Sequence, residues 1–221
     1  MIPHPKIYLI PGLGADGRLF TGLREAGLEF EVLEFIPPHK GESLHDYAGR
    51  LAAPIDATQP FIIGGVSLGG ILSVEVAFHK RPAQVLLISS VKNSREFPFY
   101  FKLNRYLRLH RLFSGKFFKR FAPRDPRRGM APYKCEILDQ MRRDADPWFV
   151  QWAVDAVIHW RRKEAPTDTL HIHGTRDLMF PGLLLGERHK IRKGSHVMVL
   201  NREPEIMEIL RAELASPVQT A

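Results

Sequence analysis

The sequence predicts an α/β fold, a mostly parallel sheet of about six strands with helices on both faces. Three observations carry this. Short strand-like segments alternate with helix-like ones along most of the chain. Two of the strand segments are nearly all apolar, as strands buried on both faces are. The chain has 221 residues, and a chain of that size buries roughly 70% of its unfolded surface. With 44% hydrophobic and 25% charged residues, the composition is ordinary for a globular protein and excludes disordered or fibrous classes.

The elements follow in order. Residues 6–10 (Lys-Ile-Tyr-Leu-Ile) read as the first strand, followed by a glycine-rich loop, Pro11-Gly12-Leu13-Gly14-Ala15-Asp16-Gly17. Asp16 is placed to cap a helix containing Leu19 and Phe20. Residues 30–36 read as a second strand. Residues 43–53 read as a helix, with Ser43 as cap and Leu44, Tyr47 and Leu51 at helical spacing. The apolar strand 61–66 runs into a helix over 68–80, and 84–91 forms the next strand. Residues 169–173 (Thr-Leu-His-Ile-His) are another, and 187–192 is a further candidate. The last helix starts near Pro204, which suits a first helical turn, and carries Ile206, Ile209, Leu210 and Leu214 on one stripe.

The window 95–163 differs. It is helix-like, aromatic and basic, with Phe97, Phe99, Tyr100, Phe101, Tyr106, Phe113, Phe117, Phe118 and Phe121 among Lys and Arg. It breaks at Pro123, Pro126 and Pro132 and resumes as an apolar segment over 147–160. We therefore expect a core of residues 1–94 and 164–221, with 95–163 inserted as a set of helices. The window holds 17 Lys/Arg and 7 Asp/Glu, a net of +10, within a chain whose net charge is +8. The rest of the chain is mildly acidic, so the positive charge is a property of the insertion.

The chemistry is concentrated in Gly65-Val66-Ser67-Leu68-Gly69, which fits G-x-S-x-G with a strand before it and a helix after it. A serine on a sharp strand-to-helix turn is raised above the sheet edge, and glycines on either side allow close backbone packing. Gly12, Gly65 and Gly69 are the expected supporting glycines. A serine nucleophile needs a base and an acid that orients the base. Asp177 lies directly after strand 169–173, and His196 lies after the next candidate strand and before the final helix. Ser67, Asp177 and His196 thus occur in the order such sites use. His171 and His173 lie on the strand itself, His173 near the loop where it can pack or hydrogen-bond, and His159 lies in the insertion as a weaker alternative base. Backbone N–H groups of Leu13 and Leu68 are the candidate donors to a developing oxyanion. A dinucleotide-binding reading of Gly12-Leu13-Gly14 fails, because the following strand ends Glu34-Phe-Ile-Pro-Pro, a poor ribose-binding turn.

With these motifs the sequence resembles the α/β-hydrolase family over 5–93 and 165–214. The residues that carry the resemblance are Pro11-Gly12-Leu13-Gly14, Gly65-Val-Ser67-Leu-Gly69, His173-Gly-Thr-Arg-Asp177 and Gly194-Ser-His196. The loop after the first strand has Pro11-Gly12 where the family often has His-Gly, and the acid-to-histidine spacing is short. The resemblance implies a three-layer α/β sandwich with the 95–163 segment as a helical cap over the site. It also implies Ser67 as nucleophile, His196 as base and Asp177 as orienting acid.

The expected activity is cleavage of a carboxylic ester or thioester through an acyl-serine, without cofactor or metal. The aromatic residues of the insertion, including Trp148, Trp152 and Trp160, more often form its own packing than a pocket, but some must face the cavity if the insertion covers the site, so Trp152, Trp160 and Phe180 are candidate contacts to an apolar acyl group. The alternatives are a lyase-type enzyme on the same fold or a binding protein with an idle triad. The basic insertion reads as a solvated face, as attraction for an anionic substrate, or as membrane-surface contact by the Phe97–Phe121 stretch. It carries no nucleic-acid-binding motif. The single cysteine, Cys135, excludes an intramolecular disulfide framework and a multi-cysteine zinc site. No apolar run approaches the roughly 20 residues of a membrane span, and the start of the chain has no signal-peptide pattern, so a cytoplasmic location is the expectation.

Overall fold

A computed structural model describes residues 5–108, 110, 114, 115, 117 and 130–214. The aromatic residues Phe113, Phe118 and Phe121 and the breaks at Pro123 and Pro126 lie outside the described residues.

Six strands form one sheet: β1 (Lys6–Ile10), β2 (Glu31–Val32), β3 (Phe61–Val66), β4 (Gln84–Ile88), β5 (Thr169–Gly174) and β6 (His189–Ile191). Their spatial order is β2-β1-β3-β4-β5-β6, and every neighbouring pair is parallel. The expected strand over 30–36 is much shorter. β2 is an edge strand with one neighbour, and its chain peels away where the Glu34 carboxylate accepts from the Gly17 N–H at 2.9 Å and Pro37-Pro38 offers no backbone donors. The strand expected over 84–91 stops at Ile88, because Ser89 takes a left-handed backbone conformation with φ 48°.

The helices are α1 (Thr21–Glu25), α2 (Leu44–Leu51), α3 (Leu68–Lys80), α4 (Phe99–Leu107), α5 (Pro132–Asp144), α6 (Pro147–His159) and α7 (Glu203–Leu214). Ser43 caps α2 by accepting from the Asp46 N–H, and Asp16 accepts from the Arg18 N–H at the 3₁₀ turn Gly17–Phe20. Alternate strand residues feed two cores. Tyr8, Ile10, Ile63, Val85 and Leu87 pack with α2 and α3; Ile7, Leu9, Ile62, Leu86 and Ile88 pack with α1 and α7. This period of two is what a sheet covered on both faces requires.

Helices α4, α5 and α6 all lie between β4 and β5. Their return to the sheet is anchored on Glu75, a buried carboxylate on otherwise apolar α3. It accepts from Trp160 Nε1 at 2.6 Å and from Arg162 at 2.7 and 2.8 Å, and His45 Nδ1 is 2.8 Å away. Burial pushes this carboxyl up, but the Arg162, Trp160 and His45 hydrogen bonds outweigh it and hold it below the usual range. Among the described residues, no helix is long and apolar enough to cross a membrane.

Candidate active site

Strands β1 and β3 are neighbours, and chain order reverses there, with β2 beyond β1. Crevices in doubly wound sheets open at such a switch point, beyond the strands' carboxyl ends. The Leu13 loop follows β1 and Ser67 follows β3, so the topology brings the two together.

Ser67 has φ 54° and ψ −115°, a backbone conformation that side-chain-bearing residues rarely adopt. Its N–H donates to Ile88 O at 3.1 Å and its carbonyl accepts from Ser90 Oγ at 2.7 Å. The turn is tight enough to need its glycines. A Cβ on Gly65 would strike the backbone of Gly69, and a Cβ on Gly69 would strike Ile10 O and Pro11 O. Gly12 lies against the same turn, with a hypothetical Cβ 3.3 Å from Val66 O.

The three expected polar side chains form one hydrogen-bonded line. His196 Nε2 is 2.9 Å from Ser67 Oγ, and His196 Nδ1 is 2.8 Å from Asp177 Oδ2. An ionised carboxylate only accepts, so Nδ1 carries the proton and Nε2 is left to accept from the serine hydroxyl. Asp177 is buried, and its Oδ1 accepts from the N–H groups of Met179 and Phe180 at 2.8 and 3.0 Å. Burial pushes its carboxyl up. The His196 hydrogen bond and charge, with the Phe180 N–H, more than offset this and hold it below the usual carboxylate range.

His171 and His173 support the line from below. His173 Nε2 donates to Phe180 O at 2.9 Å and lies 3.3 Å from Asp177 Oδ2. His171 Nε2 donates to Ser90 O at 3.1 Å, and Ser90 holds the Ser67 carbonyl. Burial pushes both imidazoles down, His171 to about 3. Ser90 had no distinguishing sequence signal, because a serine after a strand is usually a turn former.

Ser67 and His196 open onto a cavity of about 560 Å³. Leu13 and Leu68 line it, and neither N–H has a protein acceptor among the described residues. The walls are largely apolar and come from the loops after β1, β3 and β5 and from helices α4, α5 and α6. Phe180 is on the wall, with its ring 5.6 Å from that of His196. Helix α4 contributes Tyr100, Phe101 and Asn104, α5 contributes Leu138 and Arg142, and α6 contributes Val150, Val154, Val157 and Ile158.

Two of the aromatic candidates are elsewhere. Trp152 and Trp160 do not line this cavity; both face a separate groove on the other side of α6. Trp152 Nε1 donates to Glu42 O at 3.1 Å and its ring packs on Tyr47. Trp160 is buried against Glu75. The reason is helical phase. The cavity stripe at positions 150, 154, 157 and 158 leaves position 152 on the opposite side of the helix.

The model of the alpha/beta hydrolase family matches residues 7–206. The chain belongs to that family. Solved structures agree with this family fold. A thermophilic esterase from Thermogutta terrifontis has a TM-score of 0.73 at 20% identity, covering 98% of this chain and 91% of its own. An enol-lactonase from Burkholderia xenovorans LB400 has 0.68 at 16%, covering 96% and 92%. A putative lipase from Acinetobacter baumannii AYE has 0.63 at 16%, covering 96% and 85%. Among the curated proteins no match is found. At these identities the family members share the fold with this chain.

Proposed function

We propose that this protein is a serine hydrolase that cleaves a carboxylic ester or thioester of an apolar acyl group. The observation that carries the reading is the unbroken line Asp177–His196–Ser67 ending on an apolar cavity. In the proposed reaction His196 Nε2 takes the hydroxyl proton as Ser67 Oγ bonds to the substrate carbonyl carbon. The carbonyl π pair moves onto oxygen, and the N–H groups of Leu13 and Leu68 stabilise that oxyanion. The intermediate collapses, the bond to the leaving alcohol or thiol breaks, and His196 passes it the proton. Water, deprotonated by His196, then attacks acyl-Ser67 and releases the acid and the free serine. Asp177 keeps the productive tautomer and offsets the charge on His196 during both transfers.

In this reading the 95–163 insertion is a cap. Its helices supply much of the cavity wall, so substrate length and shape are set there. The substrate is a small molecule whose acyl part sits among Val150, Val154, Val157 and Phe180, with Arg142 and Asn104 as polar neighbours. The esterase, lactonase and lipase among the structural neighbours are consistent with ester chemistry on this frame.

The test is labelling with a fluorophosphonate probe alongside turnover of an ester and thioester panel. The wild type should label and turn over; Ser67→Ala should do neither while keeping its circular dichroism spectrum. Undiminished labelling in Ser67→Ala would overturn the assignment.

A further inference from the structure

The insertion holds a second cluster with its own chemistry, away from Ser67. His110, Asp155 and His159 each present one donor atom, and the three atoms lie within 4.8 Å of one another. Asp155 and His159 are four residues apart on α6 and therefore share a face. His110 arrives from the chain beyond α4, which Arg108 ends in a left-handed conformation with φ 53°. The His110 side chain is fully buried, whereas those of Asp155 and His159 are 36% and 34% exposed. The open side of the cluster faces the groove of about 920 Å³ that Asp155 and His159 line.

Hydrogen bonds around the cluster orient its two rings. The His110 backbone N–H donates to Asn104 Oδ1 at 3.1 Å, so that atom is the amide oxygen. The same oxygen is 3.3 Å from His110 Nδ1, and the other ring nitrogen, Nε2, faces Asp155 Oδ1 at 2.8 Å. His159 Nδ1 donates to the Asp155 backbone carbonyl at 2.8 Å, which leaves Nε2 as its lone-pair nitrogen. Asp155 Oδ2 is 3.4 Å from the same His159 ring. Each imidazole thus has one nitrogen held by an outer oxygen, as metal-ligating histidines do.

We infer that His110, Asp155 and His159 bind a divalent transition-metal ion, with zinc the best fit. Two imidazoles and one carboxylate suit zinc, whose ligands sit at roughly 2.0–2.2 Å in a tetrahedron. Calcium and magnesium prefer oxygen alone, and copper(I) and iron–sulfur clusters prefer thiolate. Three protein ligands leave the fourth position to water from the groove. Asn104 is the outer partner that orients His110. The ion needs deprotonated ligands, so any proton on the three ligand atoms leaves to solvent as it binds, and no electrons move. It ties the chain at position 110 to α6, the helix whose other face walls the Ser67 cavity, and Asn104 touches both sites. Metal binding thus stiffens the cavity wall without entering the chemistry at Ser67.

The experiment is calorimetric titration of zinc into the chelator-stripped full chain, with cobalt(II) absorption as a second probe. The expected result is one zinc per chain at this site and intense tetrahedral cobalt bands. His159→Gln, at a partly exposed position that leaves the core intact, should weaken zinc at least about tenfold and remove those bands. Absence of binding at micromolar to submillimolar zinc, or undiminished binding in His159→Gln, would overturn the proposal and leave an ordinary hydrogen bond between His110 and Asp155. Ser67 labelling of the stripped protein is read separately, so failure of the metal site and failure of the hydrolase reading are distinguishable.

Discussion

Ser67 occupies a backbone conformation that favours glycine, yet it carries a side chain. The surrounding turn enforces this through the Ile88, Ser90 and Gly69 contacts. Strain of this kind is stored where function needs it, and here the hydroxyl is held 2.9 Å from His196 Nε2. The proton on His196 Nδ1 depends in turn on Asp177 accepting it. Asp177→Asn offers an amide N–H to that nitrogen and favours the wrong tautomer. Its turnover number on the best ester should fall about 10³–10⁴-fold with the fold intact, as read by steady-state hydrolysis and circular dichroism. A turnover number close to wild type would rule out the orienting role. All three residues were legible in the sequence, because strand-end placement and chain order are sequence properties. Ser90, His171 and the N–H donors of Asp177 were less so. They act through a neighbour on another strand, and the register that makes them neighbours is not written locally.

At the scale of elements, α6 matters most. Its sequence is apolar almost all round, which predicts burial on more than one side without saying what each side meets. One stripe walls the Ser67 cavity and the other faces the groove with Trp148, Trp152 and the Asp155–His159 pair. Trp152 and Trp160 were candidates for substrate contact, but on α6 the smaller Val150, Val154 and Val157 line the cavity instead. Filling the cavity tests this. Val154→Phe should lower kcat/KM for long acyl esters by about fourfold per methylene excluded, from roughly 0.8 kcal/mol each, and leave short esters little changed. Trp152→Ala should not shift the chain-length profile, since it lies on the other side. A matching shift in both variants would show that α6 is placed differently. The short edge strands β2 and β6 were overestimated in length for a related reason: each has a single neighbour, and pairing, not propensity, ends them.

For the whole molecule, the buried histidines link folding to pH. His171 is held neutral by burial, with its pKa down from 6.5 to about 3, and His173 is shifted the same way. Their stabilisation is complete above 6.5 and is lost as pH falls towards 3, because the unfolded chain binds the protons first. Asp177 adds to this only at lower pH, being protonated in the unfolded chain first near 3.8. The stability should therefore decline from about pH 6.5 downward, by up to about 1.4 kcal/mol per pH unit for each buried histidine, and the melting temperature should fall with it. The decline should be shallower in His171→Gln. A flat melting temperature between pH 7 and 5 would contradict the burial of these rings. The sequence by itself determined the sheet-and-helix alternation, the turn at Ser67 and the order of its partners, because periodicity, glycine placement and strand ends are local. It also located the positive charge in 95–163. Only the tertiary structure decided which side chains wall the cavity, that Glu75 anchors the chain after α6, and that His110 meets Asp155 and His159. Those outcomes depend on the packing of helices far apart in sequence, where phase and burial are set jointly by both partners.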